Sequence, residues 1–149
     1  MYNILATLAS INLYLNVDKL KKDIFLNLKI PDGRGDISKI ILGDKKIFLV
    51  DETYNSNPLS LKMAIENFDK IESKKSKKYL ILGDMLELGK HSLKQHKLIS
   101  KIINKTKIYK VYVVGKYIKE TFKGLKPNKK AKVLNDKFNI INLINDNLN

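Results

Sequence analysis

Apolar residues recur along the chain in two rhythms, one helical and one of short continuous runs. Ile4, Leu5, Leu8, Ile11 and Leu15 share one helical face, with Ala6 and Ala9 nearby, and predict a helix over 3–15. Leu20, Ile24 and Leu28 carry the same period over 17–28, with Asp18 as a candidate N-cap. Residues 31–36, Pro-Asp-Gly-Arg-Gly-Asp, then break regular structure and make the best boundary in the chain. Beyond it, apolar runs over 37–42 and 46–50 flank Gly43-Asp44-Lys45, a hairpin signal. The second run stops at Asp51. A polar loop follows, and Pro58 opens a helix to about Glu72 with Leu61, Ala64, Ile65, Phe68 and Ile71 on its inner face. Asn57 is its expected N-cap, with proline at the first helical position.

After a basic turn over 73–78, residues 79–82 form a short buried strand ending at Gly83-Asp84, and 92–104 a helix. A strand over 108–114 ends at Gly115, with a short helix to Phe122; a weak strand over 132–134 and a last helix over 138–148 complete the pattern. Alternating strands and helices predict an α/β fold: a mostly parallel sheet covered by helices on both faces, with the hairpin adding an antiparallel strand. Two short helices cannot bury both apolar faces alone, so residues before the break are expected to pack on something outside this chain. The end, a helix followed by Asn-Asp-Asn-Leu-Asn, is expected to be premature for such a domain.

In open α/β sheets, ligands sit beyond the carboxyl ends of strands, which directs attention to the loop over 51–57. The next strand end reads Leu82-Gly83-Asp84-Met85-Leu86-Glu87-Leu88-Gly89. If the two strands are neighbours, Asp84 and Glu87 lie beside Asp51 and Glu52. Carboxylates there suit a ribose, an ammonium group or a metal with its waters, or else cap the next helix. His91 reads as a surface residue, and His96 as a packing or hydrogen-bonding group. Gly33-Arg34-Gly35 neither follows a strand nor opens a helix, so it is no dinucleotide fingerprint; Gly115-Lys116 lacks the upstream glycine and the Ser or Thr of a Walker A loop.

Composition narrows the class. A chain of 149 residues with 44% hydrophobic and 30% charged residues suits one folded domain, and no apolar run approaches bilayer length. The start lacks the features of a signal peptide, and the cytoplasm is the default compartment. Without cysteine there is no disulfide, thiolate metal site or thiol catalysis. A charge of +14 attracts phosphate backbones, but the lysines are spread over every segment, which argues against nucleic acid. Arg34 is the single arginine among 29 basic residues, and a planar bidentate donor suits phosphate.

The segment Asp51-Glu52-Thr53-Tyr54-Asn55-Ser56-Asn57-Pro58, followed by Leu82 to Gly89 and then His96, resembles the Mur ligase family. The family pattern reads Asp-Asp-Xaa-Tyr-Asn-Ala-Asn-Pro and then Leu-Gly-Asp-Met-Xaa-Glu-Leu-Gly; Glu52 and Ser56 are mild departures. The likeness is greatest to the branch that adds D-alanyl-D-alanine. It implies a Rossmann-like carboxy-terminal domain over 34–149, and over 1–33 a helical remnant of a central ATPase domain. It also implies an ATP-driven amide ligase of peptidoglycan synthesis. The carboxylate of UDP-N-acetylmuramoyl-tripeptide is phosphorylated by ATP, the amine of D-alanyl-D-alanine attacks, and phosphate leaves.

By the resemblance, Arg34 reaches the ATP phosphates, Asp51 takes the ribose, and Tyr54, Asn55 and Asn57 lie along the adenine or shape that loop. Asp84, Met85 and Glu87 line the substrate cleft. The phosphate-binding loop, the Mg2+ ligands and a modified lysine are expected upstream of Met1, so this chain alone is expected to be inactive. The completed enzyme is expected to be a monomer without nucleic-acid or membrane partners. The alternative is a stand-alone basic α/β module that binds a nucleotide or nucleic acid without catalysis.

Overall fold

The protein is described by a computed structural model covering residues 2–21, 23, 32–42, 45–72 and 76–135. Its chain divides into two units, Met1–Pro31 and Asp32–Asn149. In the first, the helical period of the opening residues forms α1 (Tyr2–Asn12), which stops short of Leu15 because Leu13, Tyr14 and Leu15 turn back onto Ser10 and Ile11. The helix predicted over 17–28 is corrected. The Asn16 side chain accepts the Asp18 N–H at 2.8 Å and closes a single 3-10 turn, Val17–Lys19. Asn16, not Asp18, is therefore the cap, and Leu20 is already extended. Residues 24–28 of that prediction and the helix over 138–148 lie outside the described residues.

The second unit begins with the hairpin β1 (Asp36–Leu42) and β2 (Lys45–Asp51), antiparallel with Ile40 opposite Ile47 and Asp36 opposite Asp51. Helix α2 (Pro58–Lys70) follows with a full capping box: Asn57 Oδ1 accepts from Leu59 and Ser60, and Ser60 Oγ accepts the Asn57 N–H at 2.9 Å. Then come β3 (Tyr79–Leu82), α3 (Ser92–Ile103), β4 (Lys110–Val114), α4 (Lys119–Lys123) and β5 (Lys130–Leu134). The three late strands form a parallel sheet in the order β3-β4-β5. Parallel neighbours of this kind are joined by crossover connections, here carrying α3 and α4. The core is assembled accordingly. Val111 and Val113 of central β4 are wholly buried, packed with Leu82 of β3, Ile65 of α2, and Ile99 and Ile103 of α3.

The predicted α/β class, with parallel strands plus an antiparallel pair, is the observed one. One expectation about it is corrected. Among the described strands, β2 hydrogen-bonds to β1 and not to β3, so Asp51 and Asp84 do not end adjacent strands of one ladder. Each strand spends its pairing on a different partner: β2 on the hairpin, β3 on β4. Among the described residues no helix is long and apolar enough to cross a membrane.

Candidate functional site

Two polar stretches far apart in function-bearing character meet at the open end of the hairpin. Gly33 and Gly35 both adopt positive φ, 74° and 86°, which turns the chain back across the loop that leaves β2. The contact is made by the backbone: Gly35 N–H donates to the Asp51 carbonyl at 2.6 Å, and Tyr54 N–H to the Gly33 carbonyl at 3.1 Å. A Cβ on Gly33 would stand 2.8 Å from the Tyr54 nitrogen, so the close approach needs glycine as much as the dihedral does. Asp36 and Asp51 face each other across the ladder, and each turns its carboxylate to its own chain. Asp36 Oδ1 accepts from Gly33 N–H at 3.1 Å, and Asp51 Oδ1 from Thr53 N–H at 3.0 Å. Local hydrogen bonds thereby relieve a like-charge pair.

This turn delivers Arg34. Its guanidinium carbon lies 4.3 Å from the centre of the Tyr54 ring, a cation–π stack between two exposed side chains. Among the described residues no carboxylate pairs with Arg34, so its planar set of donors is uncommitted. Asn55 accepts the Ser56 N–H at 2.7 Å, and Asn57 is occupied in capping α2. Arg34, Asp51, Tyr54, Asn55 and Asn57 thus fall on one turn and one adjoining loop.

The end of β3 is built differently. Asp84 Oδ1 accepts from Tyr117 N–H at 2.9 Å and Ile118 N–H at 2.7 Å, while Oδ2 accepts from Lys116 N–H at 2.8 Å. Three charge-assisted bonds to one carboxylate tie the β3 loop to the loop after β4. Gly115, at φ 136°, admits that carboxylate: a Cβ there would sit 2.6 Å from it. His96, wholly buried on α3, secures the same loop from beneath. Its Nε2 accepts the Met85 N–H at 3.0 Å and its Nδ1 lies 2.7 Å from the Ser92 carbonyl, which fixes a neutral ring protonated at Nδ1. The 4.0 Å approach of Nε2 to Asp84 is then no ion pair.

Of the three residues expected to line a cleft here, the structure places them apart. Met85 is 2% exposed and belongs to the core, Asp84 is engaged by backbone, and Glu87 alone is exposed. Glu87 has a positive φ of 60°, unusual for a residue with a side chain, and marks a constrained turn. Sequence reasoning missed Gly115 and the amides of Lys116, Tyr117 and Ile118; a glycine at a strand end was the one available signal. It also missed Lys129, whose buried ammonium donates to the Thr106 and Ile108 carbonyls at 2.7 and 2.8 Å. Burial holds the Lys129 pKa below its usual value, with Asp69 opposing and Lys126 adding to that shift. Burial likewise raises the Tyr112 phenol, helped by Tyr79 and Tyr109.

Comparison with known proteins gives this arrangement its family. The family profile described as "Mur ligase, glutamate ligase domain" matches residues 39–148. The chain belongs to the Mur ligase family. Among its relatives are the UDP-N-acetylmuramoyl-tripeptide–D-alanyl-D-alanine ligases of Rickettsia prowazekii and Buchnera aphidicola subsp. Baizongia pistaciae. The first is 34% identical over 79% of this chain and 26% of its own length, the second 34% identical over 77% and 23%. The chain thus spans about a quarter of these relatives. MurF of Acinetobacter baumannii shares the fold, with a TM-score of 0.67 at 21% identity over 92% of this chain and 29% of its own. So does the MurF ligase of Thermotoga maritima, solved with ADP, with a TM-score of 0.62 at 23% identity over 95% and 30%. The matched segment contains the loops at 51–57 and 83–89, and the Gly33-Arg34-Gly35 turn precedes it.

Proposed function

We propose that this chain serves as the carboxy-terminal portion of an ATP-dependent ligase that joins D-alanyl-D-alanine to UDP-N-acetylmuramoyl-tripeptide in peptidoglycan synthesis. Residues 1–33 then close a central ATP-binding domain, and 34–149 form the domain that shuts over the nucleotide. The observation that carries the reading is Arg34: a lone arginine, held by two positive-φ glycines against the Asp51–Tyr54 loop, with no carboxylate partner among the described residues. Transfer of a phosphoryl group to a carboxylate builds charge on the equatorial oxygens, and a guanidinium placed there lowers the barrier.

Asp51 accepts from the ribose hydroxyls. Tyr54 and Asn55 border the adenine, and Asn57 acts through the shape it gives the loop. At the β3 end, Glu87 faces the ammonium of the incoming dipeptide, while Asp84 and Met85 position the turn that presents it. Among the described residues no group of three or more His, Cys, Asp or Glu could hold a metal ion, and the Mg2+ ligands belong to the central domain in this reading.

The chain alone neither hydrolyses ATP nor forms the amide; ATP-dependent amide formation by the isolated 149 residues would refute that. In the enzyme completed by its central domain, Arg34→Lys and Asp51→Ala each lower ATP use, and D-alanyl-D-alanine is preferred over single amino acids. Unchanged ATP kinetics in both variants would overturn the assignment.

A further inference from the structure

Four of the 28 lysines that look dispersed along the sequence are brought to one end by the topology. Because β3, β4 and β5 run parallel, the residues before each strand reach the same end of the sheet, opposite the Asp84 and Glu87 loop. Lys77 precedes β3, Lys105 and Lys107 precede β4, and Lys126 precedes β5; all four are exposed. Neighbouring strands stand about 4.8 Å apart, so these charges form a short row. Among the described residues none of them has a carboxylate partner, the Lys–carboxylate pairs being Lys62–Glu66 and Lys123–Glu120. Two acids lie nearby and reduce the net charge without cancelling it: Asp69, whose Oδ1 accepts the Lys107 backbone N–H at 2.7 Å, and Glu72, just after α2. The carboxyl ends of α2 and α3 also point to this rim, and their dipoles favour part of the charge. They do not account for Lys77, which lies on the strand side of the rim.

Tyr79 and Tyr109 meet there edge to face at 5.6 Å, and the Lys77 ammonium covers the Tyr109 ring at 4.8 Å. A ring already covered by a cation and an edge is a poor platform for stacking bases. The rim also has no arginine, the residue that reads phosphates by bidentate contact. Lysines acting as point charges beside tyrosines, on a face of row-like strand ends, are the chemistry of attraction to an anionic lipid surface.

We propose that the amino-terminal rim of the parallel sheet is a docking face for anionic membrane, engaged through Lys77, Lys105, Lys107 and Lys126 with Tyr109 among them. It turns the carboxyl-end loops away from the lipid, stands independently of the ligase reading, and departs from the expectation, drawn from the family likeness, of no membrane partner.

The test is co-sedimentation of the 149-residue chain with phosphatidylcholine vesicles, with and without phosphatidylglycerol. Binding is expected only with phosphatidylglycerol and is expected to fall steeply with salt. Lys77→Glu, Lys105→Glu and Lys126→Glu together lower the partition coefficient about tenfold or more, at unchanged circular dichroism. The matched triple Lys90→Glu, Lys94→Glu and Lys116→Glu, with the same charge change at the other end, lowers it far less. Equal losses in the two triples, binding to neutral vesicles, or no binding at low salt would each overturn the proposal. So would a rim-dependent affinity for single-stranded oligonucleotides exceeding that for the vesicles.

Discussion

At the hairpin end, Arg34 rests on Tyr54 with its donors uncommitted. At the end of β3, Asp84 gives both oxygens to three backbone N–H groups. Both are polar turns beside strand ends; the Tyr54 and Asp84 loops carry the family likeness, and the Gly33–Gly35 turn lies outside the matched residues. The difference lies in what each side chain is for. Removing Asp84 leaves three amides without their acceptor, so the cost falls on the fold. Removing Arg34 costs one exposed cation–π contact, so the fold loses little, and under the proposed function the cost falls on the nucleotide. Residue type alone does not separate the two roles; the partners do.

The sharpest way to break this contrast is Asp84→Ala. It is expected to destabilise the chain by about 3 kcal/mol, read as a lower midpoint in urea, since hydrogen bonds to a charged group are worth roughly 1.5–3 kcal/mol each but do not add in full. A loss no larger than that of Arg34→Ala would erase the distinction. Next in size is Gly33→Ala. With φ at 74° and the Tyr54 nitrogen 2.8 Å from the new Cβ, the turn must shift, at about 1–2 kcal/mol. Destabilisation from Gly83→Ala of the same size would show that the docked turn is nothing special, because a Cβ at Gly83 meets nothing within 4 Å.

A smaller effect concerns alkaline pH. The fold raises the Tyr112 pKa above its ordinary 10.0, so the unfolded chain loses that proton first. Stability is therefore expected to fall as pH rises through 10, and the fall to be shallower in Tyr112→Phe. Lys129, with its pKa lowered, pulls the other way over the range below its ordinary 10.5. Urea midpoints measured on both sides of that range, for chain and variant, check the sign.

How much of this was legible beforehand follows from how local each signal is. The cap of α2 was readable because Asn57, Pro58 and Ser60 act within one turn, and β3 because Tyr79–Leu82 is a short apolar run bounded by lysines and Gly83. The beginning of β5 was read two residues late, since Lys130 and Ala131 carry no apolar pattern and join the sheet by pairing with β4. The helix over 17–28 failed because Asn16 offers its own side chain to the backbone, which favours a turn over continuation. Arg34 stood out by its rarity, and its proposed role awaits its test. The role of Asp84 was not, because its partners are backbone amides more than thirty residues further on, at Lys116, Tyr117 and Ile118, and amides leave no mark in a sequence. Gathering of the lysines was hidden for a similar reason: only parallel strand order brings them to one end.

The most direct test of the central claim is ATP-dependent turnover of Arg34→Lys in the enzyme completed by its central domain, measured beside its thermal melt. The account predicts a melt like that of the unsubstituted enzyme and a fall in kcat/KM for ATP of about a hundredfold, the size seen when one donor to a developing charge is lost. Wild-type ATP kinetics in that variant, or a loss fully explained by unfolding, would contradict it.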